Sequence, residues 1–153
     1  MTSADLIEEV RIEMDNIEVV LKELSDLYKD VKGKDISTRD KTAAAAFLAQ
    51  FYSGIENILK RISRFHNVIL PTGNLWHAEL IKRFCNPPLH PMPLLFDKTL
   101  SADLAPYRKF RHVFHHGYGF QLDWDRLTEG IEKSQSVFDR FKTSIEDYFK
   151  TLK

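Results

Sequence analysis

Cysteine is nearly absent from this 153-residue chain: Cys85 stands alone. A single thiol excludes a disulfide framework and any four-cysteine zinc module, and it suits a reducing cytosol. Long apolar runs are missing as well, and none approaches the roughly 18 residues that a membrane crossing needs. The N-terminal "MTSADLIEEVRIEMDN" is acidic and has no apolar stretch of the kind a secretory signal carries, so the expected location is cytoplasmic, with no membrane partner. No segment alternates apolar and polar residues with a period of two, which leaves no candidate strand. Net charge is zero, with 22 basic and 22 acidic residues, which argues against a protein that simply coats a polyanion.

What is present is a composition of 43% apolar and 29% charged residues, suited to one domain with a real core over residues 1–153. The charges are unevenly spread. Residues 1–56 hold 7 Lys/Arg against 12 Asp/Glu, residues 57–120 hold 9 against 3, and residues 121–153 hold 6 against 7. A positive middle third in a neutral chain suits one anionic ligand at one place; chance segregation balanced by neighbouring helices is the plainer reading.

Ile7, Val10, Met14, Ile17, Leu21, Leu24, Tyr28 and Val31 recur at spacings of three and four, which predicts an amphipathic helix stopped near Gly33. A second helix should begin at Ser37 or Thr38, where Ser37 and Asp40 resemble a capping box, and run to about His66 with a wide apolar face. Five of the six prolines fall between residues 71 and 93, so only a short helix, about Leu75 to Phe84, is expected there. A further helix should run from a Ser101 cap to about His116, ended by Gly117 and Gly119, and the last should start near Asp123 or Asp125. The expected fold is all-α, an antiparallel bundle of four to five helices whose broad apolar faces also suit pairing in a homodimer.

"YRKFRHVFHHGYGFQLDW", Tyr107 to Trp124, concentrates three histidines, three basic residues and six aromatics. Tyr107, Phe110 and Phe114 share a helix face, which Val113 can join, and read as packing. His112 and His116 are four apart, as in paired zinc ligands, but Val113 stands where a zinc protease has glutamate, and a third ligand would have to come from His66, His77 or Asp97. The other chemistry is metal-free cleavage of RNA, whose 2′-hydroxyl is its own nucleophile. Histidine suits the proton transfers and arginine the phosphoryl charge, and Arg111 and His116 supply one of each. Five residues apart on a helix is about 140° of rotation. Convergence would therefore need a loosened helix near His115 or two copies pooling their residues in one cleft.

"RHVFHHGY" fits R-x4-H-x-Y at Arg111, His116 and Tyr118, and with Glu56–Asn57, "GNLWHAELIKRF" and "RHVFHHGYGFQLDWDRL" the chain resembles the HepT-like toxins of the HEPN superfamily. The resemblance implies a metal-independent ribonuclease toxin of a toxin–antitoxin pair, cutting mRNA or tRNA without a cofactor at a homodimer interface. It makes Arg111 and His116 catalytic. Its partner is a minimal nucleotidyltransferase antitoxin that transfers AMP to the motif tyrosine, here Tyr118. His112 stands at the polar position after the arginine and, with His115, is a supporting candidate; Arg108 and Lys109 are candidate phosphate or RNA contacts. The proline-rich 86–93 segment is longer than in compact members. A non-catalytic, nucleotide-binding partner of a nucleotidyltransferase is the alternative.

Overall fold

In the computed structural model, which describes residues 1–152, five α-helices and one 3₁₀ turn make up the regular structure of those residues. α1 spans Ser3–Val31, α2 Thr38–Phe65, α3 Trp76–Lys82, α4 Lys98–His116 and α5 Trp124–Thr151, and the turn is Gly119–Gln121. The expected all-α bundle forms. α1 starts on a reciprocal capping box: the Thr2 hydroxyl accepts from the Asp5 N–H at 3.1 Å and the Asp5 carboxylate accepts from the Thr2 N–H at 3.0 Å. It stops where Gly33 adopts φ +78°, a left-handed conformation that glycine reaches without steric cost. Of the stripe read from the sequence, Val10, Met14, Ile17, Leu21 and Leu24 are buried, with Leu6 beside them, while Ile7, Tyr28 and Val31 are half-buried.

α2 is the hub. Its buried residues lie around most of its circumference, from Ala44 to Ser63. Gly54 lets α1 come close, since a Cβ there would sit 2.6 Å from Ile17 Cγ1. Phe51 meets Tyr107 edge-on with ring centroids at 5.1 Å and Phe138 at 6.4 Å, which ties α2 to α4 and α5. Ion pairs on the rim show the antiparallel course: Arg61 holds Glu9 and Glu13, while Arg11–Glu146 and Lys142–Glu18 join α1 to α5. Exposed pairs of this kind are worth about 0–1 kcal/mol each, so they record register more than they supply stability. The Ser37 hydroxyl accepts from the Asp40 N–H at 3.0 Å, so α2 has a single cap in place of the expected box.

Two other expectations are corrected. α3 is shorter than Leu75 to Phe84, because the chain turns at Arg83 to bury Phe84. The Phe84 carbonyl accepts from the N–H groups of Leu95 and Phe96, so the proline-rich segment folds back and sends Met92, Leu95 and Phe96 into the core. α4 starts at Lys98 rather than after a Ser101 cap. Asp97 is the cap, accepting from the Leu100 N–H at 2.7 Å, and Ser101 already lies inside the helix. Asp97→Ala is expected to cost about 1 kcal/mol, lowering the thermal midpoint by about 2–4 °C. Ser101→Ala should leave it unchanged, and a larger loss from Ser101 would return the cap to that residue.

Candidate functional site

The end of α4 has a packing side and an open side. On the packing side Tyr107 is buried and its hydroxyl donates to the Gly130 carbonyl at 2.7 Å; burial drives the phenol's pKa upward. Phe110 and Phe114 pack against the core as half-buried rings, and a Cβ at Gly130 would meet Phe110 Cε2 at 2.6 Å. Val113 does not join them. It is 41% exposed, because the α4–α5 groove beside it is unfilled.

On the open side Arg108, Lys109, Arg111, His112 and His116 line a depression of about 570 Å³ whose far wall is the chain from Gly73 to Ala78. No carboxylate among the described residues lines it. Three cations and three imidazoles, counting His77 on the far wall, therefore face one solvent-filled space, and the potential there favours an anion. Three of the nine basic residues of the positive middle third are gathered here.

Arg111 and His116 reach this space without any loosening of the helix, which stays α-helical to His116. Arg111 leaves the helix surface by its length. Its side chain extends toward α2 and α3, where Nε donates to Ser53 Oγ at 3.1 Å and Nη1 lies 3.4 Å from His77 Nε2. His116 is the last helical residue. Gly117 follows in an extended conformation, its N–H bonded to the Val113 carbonyl at 2.7 Å. Of the two routes to convergence considered from the sequence, the loosened helix near His115 is not taken, since α4 stays regular to His116.

His112 and His116 lie one turn apart with ring centroids 4.6 Å apart and ring planes tilted by 45°. No group of three or more His, Cys, Asp and Glu among the described residues is placed to hold a metal ion. The third ligands considered from the sequence are engaged elsewhere: His66 Nε2 lies 2.6 Å from the Tyr148 hydroxyl, Asp97 caps α4, and His77 Nδ1 lies 2.6 Å from Glu56 Oε2. His115 is exposed and off the lining of the depression. Its pKa is lowered, first by partial desolvation and then by the charges of Arg111, His116 and His77.

Tyr118 stands just beyond the helix end. It is 69% exposed, stacks in parallel on Phe120 with centroids 5.7 Å apart, and takes its backbone N–H to Gln121 Oε1 at 3.1 Å. It does not line the depression. The turn that carries it rests on α2, since a Cβ at Gly119 would overlap the Thr42 hydroxyl.

From sequence, Ser53 and Trp76 have no role at this site, His77 enters only as a third metal ligand, and Glu56 only as part of the resemblance. One signal was available. Glu56 follows Tyr52 by four residues and precedes Leu59 by three, which puts a carboxylate on the apolar face of α2, and it is 2% exposed. A charge in that position needs a partner, and His77 is that partner.

A family model described as a HepT-like protein matches residues 43–152. No curated protein and no solved structure matches the chain. The matched span contains every residue that lines the depression, together with Ser53, Glu56 and Tyr118. The chain therefore belongs to the HepT-like protein family.

Proposed function

We propose that this protein is a metal-independent endoribonuclease toxin of a toxin–antitoxin pair, with Arg111 and His116 as its catalytic residues. Membership of the HepT-like family supports a toxin–antitoxin ribonuclease at the family level. The observation that carries the reading is that Arg111 and His116 line one cationic depression, with no carboxylate among the described residues on its wall. An RNA phosphate is the anion that fits both the charge and the acid–base residue beside it.

In the proposed reaction the ribose 2′-hydroxyl loses its proton to a base and its oxygen attacks phosphorus. The P–O5′ bond breaks, and the 5′-oxygen takes a proton from an acid. The products are a 2′,3′-cyclic phosphate and a 5′-hydroxyl. His116 is placed for proton transfer. Arg111 offers a planar fork of N–H donors to the phosphoryl oxygens, where negative charge is carried. Arg108 and Lys109 hold the flanking phosphates. His112, in ring contact with His116, supports its orientation. Two proton transfers and one His116 per chain favour a homodimeric site in which a second copy supplies the second imidazole.

The antitoxin in this reading is a minimal nucleotidyltransferase that moves AMP onto Tyr118. The test is direct. Purified protein incubated with RNA in excess EDTA should cleave it at an undiminished rate and leave 2′,3′-cyclic phosphate ends. Strong EDTA inhibition would bring back a metal. Binding of nucleotides with RNA left intact would favour the non-catalytic partner reading.

A further inference from the structure

We propose that His77, held by Glu56, is a positioning residue that fixes the guanidinium of Arg111 in the depression. This rests on the ribonuclease reading only for the identity of the anion that Arg111 meets. The contacts form a closed path through three helices. Glu56 on α2 reaches His77 Nδ1 at 2.6 Å; His77 on α3 presents Nε2 to Arg111 Nη1 at 3.4 Å; Arg111 on α4 returns to α2 through Nε and Ser53 Oγ at 3.1 Å. Trp76 covers the imidazole face, with ring centroids 3.6 Å apart.

Hydrogen-bond chemistry assigns the protons along this path. A guanidinium has donors only, so the nitrogen that faces it must present a lone pair. Nε2 of His77 is therefore unprotonated. The one ring proton sits on Nδ1 and donates to the Glu56 carboxylate. The buried carboxylate thus sets the tautomer, and the tautomer gives Arg111 an acceptor on one edge. Nε and one Nη are held, while the donors on Nη2 stay free for phosphate oxygens. A side chain that merely fills space could match the volume of His77, but it would not offer an acceptor at the Nε2 position.

The test uses the full chain with His77→Leu, His77→Gln and Glu56→Gln. Leucine keeps bulk without an acceptor, whereas the glutamine amide oxygen can stand in for Nε2. On a short RNA, His77→Leu should lower kcat about a hundredfold, the scale of a misplaced reacting group. His77→Gln should recover about tenfold of that loss at the same thermal midpoint. Equal kcat for the two variants would overturn the proposal. Two nitrogen NMR readouts do not depend on cleavage and stand even if the wild-type protein leaves RNA intact. His77 should be the neutral tautomer protonated at Nδ1, and the Arg111 side-chain N–H signals should be protected from solvent exchange. Glu56→Gln should weaken that protection, and His77→Leu should remove it. An Nε2-protonated His77 in the wild type, or Arg111 signals unchanged by all three variants, would overturn the proposal whatever the RNA assay gives. If His77→Leu fails to fold, the wild-type tautomer and Glu56→Gln still decide.

Discussion

Replacing His116 by alanine is expected to lower RNA cleavage by about 10²–10⁴, the range of a lost general acid or base. Arg111→Ala is expected to cost about 10²–10³, the range of a lost charge-stabilising donor. The two variants should differ in stability. His116 is exposed at the end of α4, so its removal should leave the thermal midpoint where it was. Arg111 is half-buried and bonded to Ser53 and His77, so its loss strands an acceptor and should lower the midpoint measurably. Rates on a defined RNA, with circular dichroism melts beside them, check both statements. Wild-type cleavage by either variant would remove that residue from the catalytic pair.

The second large effect concerns Tyr118. Incubated with ATP and the nucleotidyltransferase antitoxin proposed for it, the wild-type protein should gain mass in units of AMP and lose ribonuclease activity. Tyr118→Phe should gain none at that position and stay active. The physical basis is access and charge. The phenol is two-thirds exposed on a turn braced against α2, so an enzyme can reach it without unfolding anything. It follows His116 by two residues, so each transferred group sets a phosphodiester anion and an adenosine beside the cations of the depression. That places charge and bulk where the RNA backbone has to enter. Intact-mass spectrometry reads the outcome. A Tyr118→Phe protein that gains AMP to the wild-type extent would move the modification to another residue.

The long helices were legible because their apolar residues recur with helical period over many turns. In α1 most of the predicted stripe, Val10 through Leu24, is buried. The ends were less legible. Asp97 and Ser101 are both good cap residues one turn apart, and local sequence does not choose between them; the fold chooses Asp97 because Phe96 must reach the core. At the site, the histidines and cations of α4 were visible as a cluster. The cluster alone did not show how Arg111 is held: its side chain leaves α4 to meet Ser53 on α2 and His77 on α3, contacts that only tertiary packing makes. Glu56 and His77 are 21 residues apart and on different helices, so their pairing arises only when α3 docks on α2. The clue was the burial of Glu56, a property of the helix face rather than of any motif.

The wall of the depression also contains an indole. Trp76 lies against His77 on one side, and the ammonium of Lys60 sits 4.5 Å from its ring centroid. Trp124, at the start of α5, is the only other tryptophan and is not part of that wall. The molecule therefore carries a native fluorophore in contact with the imidazole next to Arg111. With Trp124 replaced by phenylalanine, the remaining tryptophan emission comes from the depression alone. Entry of unlabelled RNA, a nucleotide or bare phosphate becomes an optical event that needs no dye, no tag and no turnover.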